Sequence, residues 1–147
     1  MATFRFDRAL LIFTSQGGGG QFRIHGFAPG ATVDLEMDGE FNKLEVGEDG
    51  EPAWSQDLAA LAGKCTFRLQ QSSTSNADIG AQVALDELDG TGYGTLQVLD
   101  PNSGTSGEGA GRFAQQAKAS FGAGLQPREW VFRFERLKIT HAGITQR

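Results

Sequence analysis

Cys65-Thr66-Phe67-Arg68-Leu69-Gln70-Gln71-Ser72-Ser73-Thr74-Ser75-Asn76 is the stretch on which the fold turns. Its first six residues alternate, with Cys65, Phe67 and Leu69 on one side and Thr66, Arg68 and Gln70 on the other. A period of two lays one row on a core and the other outward, which makes a strand. The last four residues are small and polar, and they open a helix predicted over Asn76–Asp89. Ser75 is the expected cap, with Asp78 three residues later completing a pair like a capping box. Ile79 and Val83 stack at i, i+4, Leu88 extends the apolar side, and Gly90 is the expected C′ residue. Asp86, Glu87 and Asp89 crowd the negative end of the helix dipole, each at a cost of about a few tenths of a kcal/mol. They read either as tolerated surface charge or as an acidic knob for a basic partner.

Strand patterning continues on both sides. Ala31, Val33, Leu35 and Met37 alternate with Thr32, Asp34, Glu36 and Asp38. Phe113, Ala117, Ala119 and Phe121 share one parity, opposite Arg112, Gln116, Lys118 and Ser120. Trp130, Phe132 and Phe134 form a further apolar row, after which Leu137 and Ile139 take the apolar positions. That switch predicts a bulge near Glu135 or Arg136, or a strand crossing between sheets. Further strands are expected at Phe4–Phe13, Gln21–His25, Asn42–Val46, Pro52–Gln56 and Thr95–Leu99. Asp57–Ala62 suits a short helical turn. Asp49-Gly50 is a hairpin signal and Asp38-Gly39 a second candidate. Gly17–Gly20 and the Gly/Ser-rich Asp100–Gly111 read as mobile loops.

The chain has 147 residues, 39% apolar and 21% charged, which fits a single domain over 1–147 and excludes a wholly disordered chain. One Cys and two His exclude an internal disulfide and a Cys/His metal site. No apolar run approaches the length of a membrane span or signal core, so a cytoplasmic place of assembly is expected. Net charge is −5, against a general phosphate-binding surface. The charge is uneven: Asp34–Asp57 holds nine acidic residues and one basic, and Arg112–Arg147 seven basic and two acidic. The pattern reads either as solvated faces or as two complementary surfaces suited to head-to-tail stacking.

Motifs for chemistry are weak. Asp34 to Glu45 nearly spells a calcium loop, with Gly39 sixth and Glu45 twelfth. The flanks carry Gly26, Pro29, Gly30, Gly47, Gly50 and Pro52 and cannot form its helices, so a strand and turn with exposed acids is expected. Cys65 lies on an apolar parity and reads as a buried, unreactive thiol. His25 and His141 have no nucleophile at a usable spacing and read as strand-end residues. Gly17–Gly20 lacks the ending of a phosphate loop. Arg128, Arg133 and Arg136 interleave with Trp130, Phe132 and Phe134, yet the aromatics fall on one face and read as core. No cofactor, metal or catalytic set is expected.

Ile24-His-Gly26-Phe27-Ala-Pro-Gly30, the Val46–Glu51 hairpin, Leu69-Gln-Gln-Ser-Ser-Thr-Ser-Asn76 and Arg128-Glu129-Trp130 together resemble the tail tube proteins of contractile-tailed bacteriophages. The likeness spans roughly residues 20–145, and residues 1–19 fit least well. It implies a β-sandwich or small β-barrel with one flanking helix, a fold shared with type VI secretion tube proteins. It further implies six-membered rings that stack head to tail into the tube through which the genome leaves, with no enzymatic activity. The implied partners are other copies, the tail sheath, baseplate or initiator proteins and terminator proteins. DNA would pass without specific binding, and the location would be the virion, assembled in the bacterial cytoplasm. Candidate lumen residues are Asp34, Glu36, Asp38, Thr66, Arg68 and Gln70, with an expected net negative bore. Candidate contacts between rings or with the sheath are Glu48, Asp49, Gly50, Glu51, Asp86, Glu87, Asp89, Asn102, Ser103 and Glu108. The alternatives are a tube protein of a bacterial contractile injection system and a monomeric β-sandwich binding module for calcium or carbohydrate.

Overall fold

The computed structural model describes residues 10–16, 20–28, 32–100, 104–124 and 126–141. Its elements are β1 (Leu10–Ser15), β2 (Gln21–Ile24), β3 (Asp34–Met37), β4 (Asn42–Val46), β5 (Pro52–Gln56), β6 (Gly63–Leu69), α1 (Ser75–Asp89), β7 (Gly94–Leu99), β8 (Ser106–Phe113), β9 (Arg128–Phe134) and β10 (Lys138–Thr140). A short 3-10 turn, Leu58–Leu61, precedes β6, where a helical turn is expected from the sequence. The expected segments Phe4–Ala9, Gly17–Gly19, Pro29–Ala31 and Pro101–Ser103 lie outside the described residues.

Eight strands form one antiparallel sheet in the order β2-β1-β7-β8-β9-β6-β3, with β10 beside β8. The chain after β2 returns to β6. Phe27 bridges Leu69, the Ala28 N–H donates to the Arg68 carbonyl at 3.1 Å, and the Gln70 N–H donates to Gly26 O at 2.7 Å. These links tie the chain after β2, at one end of the path, to β6 and curl the sheet into a small barrel, with β3 an edge strand paired only with β6 among the described residues. Its interior is Leu11, Phe13, Ile24, Cys65, Phe67, Leu69, Leu96, Val98, Phe113, Trp130, Phe132, Phe134 and Leu137, closed by Ile79 and Val83 of α1. Phe13, Phe113, Phe132 and Phe134 form a chain of tilted and edge-on ring contacts at 4.9–5.9 Å. Edge-to-face packing of this kind adds to the burial of each ring.

The alternation of Cys65–Leu69 and Trp130–Phe134 sets the register: Cys65 faces Phe132, and Phe67 faces Trp130. The bulge expected near Glu135–Arg136 is present. Gly111 faces Phe134, so an unbroken ladder would set Glu108 opposite Leu137, yet Glu108 faces Lys138. One extra residue therefore sits on the β9–β10 side. Both segments stay beside β8, so the parity switch does not come from a strand changing sheets.

Five expectations need correction. The strand β8 begins at Ser106, inside the presumed loop Asp100–Gly111. Its inward positions are Gly107, Gly109 and Gly111, and neighbours occupy the space of the missing side chains. A Cβ on Gly107 would lie 2.6 Å from a Leu35 methyl, and one on Gly109 2.7 Å from the Phe134 ring. Next, β8 ends at Phe113, and the alternating Ala114–Phe121 stretch joins no ladder. Asp38-Gly39 makes no hairpin, because β3 pairs with β6 while β4 pairs with β5 in a separate sheet. Ser75 also does not cap α1. The helix runs Ser75–Asp89 behind Thr74, which makes no side-chain cap bond. The Ser75 hydroxyl is buried and accepts the His25 N–H at 3.0 Å, while Ser73 Oγ accepts the Ser75 N–H at 3.2 Å. At the other end Gly90 is left-handed, as expected. Leu88 is exposed rather than part of the buried face.

Candidate assembly surfaces

The two segments Leu69–Asn76 and Arg128–Trp130 meet in space. Asn76 Nδ2 donates to Gln70 O at 2.8 Å, and its Oδ1 accepts the Trp130 indole N–H at 2.9 Å. The Gln126 N–H reaches Gln71 Oε1 at 3.3 Å. Ser73 Oγ donates to His25 O at 2.6 Å, tying the helix start to the end of β2. These polar residues hold a corner: a strand end, a helix start and a buried indole share one hydrogen-bonded node.

The first candidate surface is the outward face of β3, β6 and β9. Register sets Asp34 beside Thr66 and Glu36 beside Lys64, then Lys64 beside Arg133 and Arg68 beside Glu129. Asp34, Glu36, Thr66 and Arg68 therefore share this face. Asp38 lies just past β3, where Arg133 reaches it at 3.4 Å, and Gln70 just past β6. Lys64–Glu36 and Arg68–Glu129 pair at 3.9 Å. Four acids meet three bases, so the strip is close to neutral with one acid in excess. Exposed pairs such as these add at most about 1 kcal/mol each. Sequence reading named Asp34, Glu36, Asp38 and Arg68 but missed Lys64, Glu129 and Arg133, because only the β6–β9 register brings them alongside.

The second surface is the β4–β5 hairpin. Asp49-Gly50 forms its turn: the Gly50 N–H donates to Gly47 O, and the Gly47 N–H to Glu51 O, both at 2.9 Å. Gly50 has φ +82°, which suits a three-residue turn ending in a left-handed glycine. Glu48, Asp49, Gly50 and Glu51 thus occupy the tip, where Asp49 Oδ1 accepts the Glu51 N–H at 3.1 Å. Every residue of both strands is exposed. Leu44 faces Trp54 and Val46 faces Pro52, so one face is apolar. Leu44 is 51% exposed, Val46 62% and Trp54 69%. An isolated two-stranded hairpin is marginally stable in water, and this one also leaves large apolar side chains open.

The third surface is the C-terminal end of α1. Asp86 is held by Arg112 Nη1, which also donates to Gly90 O at 2.9 Å. The guanidinium lies 5.5 Å from the Tyr93 ring centroid. Arg112 thus supplies the positive charge that the acidic helix end lacks on its own sequence. Asp89 Oδ1 accepts the Thr91 hydroxyl at 2.6 Å, and Glu87 is exposed. The Tyr93 hydroxyl donates to Glu135 at 3.2 Å; loss of solvent around the phenol, then the Glu135 charge, raise its pKa. Glu108 sits on β8 opposite Gln97 and Lys138, and Asn102 and Ser103 lie outside the described residues.

No group of three or more His, Cys, Asp or Glu side chains that could hold a metal ion occurs among the described residues. Cys65 is fully buried, and burial, helped by the Asp34 charge, pushes its thiol up to about 12. Asp34–Glu45 forms strand, bend and strand, not a helix-flanked ion loop. His25 follows β2, and its Nε2 lies 3.3 Å from Thr74 Oγ1. No described helix is long and apolar enough to cross a membrane.

No protein-family model matches the chain, and no curated protein matches it in sequence. Among solved structures, it is similar to a chain in the cryo-EM structure of the anti-feeding prophage cap, described as the AFP tube terminating cap. The TM-score is 0.58 at 14% identity, over 97% of this chain and 93% of that one. The likeness is one of fold.

Proposed function

We propose that this protein is a structural subunit of the tube of a contractile phage tail, with six copies closing a ring and rings stacking head to tail. The observation that carries the reading is the exposed β4–β5 hairpin, whose apolar face and acidic tip make sense when covered by another copy. The fold shared with a chain of a tube-terminating cap structure supports it, as does the resemblance of the Leu69–Asn76 and Arg128–Trp130 segments to tail tube proteins. In this reading Asp34, Glu36, Asp38, Thr66, Arg68 and Gln70 face the bore. With Lys64, Glu129 and Arg133 alongside, the strip carries one acid in excess, a near-neutral balance that lets DNA slide, because DNA binds through cationic contacts to its phosphates. The hairpin tip, Glu108 and the free acids of α1 face neighbouring rings, the sheath, or the initiator and terminator proteins at the tube ends. The role is architectural, with no reaction catalysed, and the location is the virion. A second reading, the tube of a phage-like injection particle, is favoured by the anti-feeding prophage source of the similar structure.

Negative-stain microscopy of the purified protein across a concentration series tests the proposal. Rings or rods are the expected result. Uniform small particles at every concentration would overturn it.

A further inference from the structure

The sequence of Ala114–Phe121 alternates like a strand, yet in the single chain it pairs with none. The Ala114 N–H still donates to Val131 O at 2.9 Å. Beyond it, among the described residues, no backbone group from Gln115 to Phe121 bonds another backbone group. Among the described residues the segment is held through side chains: Gln116 Nε2 donates to Gly80 O at 3.1 Å, Arg128 reaches Ser120 O at 3.5 Å, and Ala117 packs against the core. Phe121 at its end is 87% exposed. Backbone polar groups and an aromatic ring left open together describe an unfinished sheet edge.

A second unfinished edge lies across the same face. Among the described residues β3 pairs on one side only, with β6. The order across the face is β3, β6, β9 and then the Ala114–Lys118 segment, which walls a groove with Lys64, Glu129, Val131 and Arg133. The charges of the two borders are opposite. On β3, Glu36 has Lys64, and Asp38 just beyond has Arg133, but among the described residues Asp34 has only the Thr32 hydroxyl, at 3.2 Å. Lys118 forms no ion pair among the described residues, and two further cations, Lys64 and Arg133, line the groove beside it.

We propose that Gln115–Phe121 becomes a strand on assembly and that its partner is β3 of a second copy, with Lys118 near the partner copy's Asp34 side. The contact joins two different edges of one subunit, so it is heterologous, and repeated around an axis it closes a ring. It extends the β3-β6-β9 sheet from copy to copy and leaves no open edge on that face. This inference rests on the ring reading and adds to it which edges meet.

The test uses the full chain. Asp34→Cys and Lys118→Cys are combined and the protein is oxidised at concentrations where the native chain forms rings. Cys65 is buried and does not compete. A disulfide needs Cα atoms within about 7 Å, so bridging reports strand pairing. A ladder of covalent oligomers that ends at the ring number is expected, with neither single variant giving it. In parallel, Asp34→Lys and Lys118→Asp should each raise the concentration needed for rings by about tenfold or more. The double exchange should restore it, with unchanged melting of the single chain. Rings without ladder and without rescue overturn the edge assignment and leave the ring reading standing. A native chain that stays monomeric at every concentration overturns both.

Discussion

Replacing Trp54 by Ala separates assembly from folding. In the single chain Trp54 is 69% exposed, on a hairpin whose ten strand residues are all exposed. An aromatic side chain buries about 150–250 Å² when fully covered, so roughly 170 Å² of a tryptophan this exposed remains available. At about 25 cal/mol per Å² the ceiling for covering it is about 4 kcal/mol, and partial covering gives about 2 kcal/mol. Those energies correspond to a roughly 30- to 700-fold rise in the concentration needed for association. The loss in the folded chain is small, because few contacts form there, and an exposed substitution shifts stability by about 0.5 kcal/mol or less. Thermal melting below the assembly concentration and sedimentation across a concentration series measure the two quantities separately. Unchanged melting with association lost or strongly shifted is expected. A melting temperature that drops as for a core residue, with association untouched, would refute the reasoning, since it would make Trp54 a packing residue rather than a contact.

Three further outcomes follow from the interior. Asn76→Ala leaves the buried Trp130 N–H without its acceptor and should cost about 1–3 kcal/mol in denaturant unfolding, more than an Ala change at exposed Gln115. Gly26→Ala meets both a left-handed φ of +77° and Ser73 at 2.7 Å, and should destabilise by about 1–3 kcal/mol, read by the same unfolding curve. Cys65 holds its proton in the fold up to about 12, whereas the unfolded thiol releases it near 9.0. Its contribution is therefore complete below pH 9 and is lost as pH rises toward 12, by up to about 4 kcal/mol. Unfolding followed from pH 8 to 11 should show this loss in the native chain and less of it in Cys65→Ala.

What the chain determined alone is local. Alternation in Cys65–Leu69 and Trp130–Phe134 dictates strands with one apolar face, and the parity change at Leu137 calls for a bulge or a strand crossing between sheets, of which only the β8 register picks the bulge. Asp49-Gly50 dictates a tight turn and Gly90 a helix end, since both need left-handed backbone. The tertiary structure decided what neighbours do. β8 has glycine at its inward positions, so no apolar row announces it; Leu35 and Phe134 fill that space from other strands. Ser75 has the chemistry of a cap, but a buried strand end at His25 claims its hydroxyl. Arg112 answers the acids of α1 from 26 residues away in sequence. Leu44, Val46 and Trp54 alternate like a buried face, and only the three-dimensional arrangement shows that nothing in the described chain covers them. Periodicity can say which side of a strand is apolar, but whether that side meets its own core or waits for another copy depends on where the rest of the chain goes.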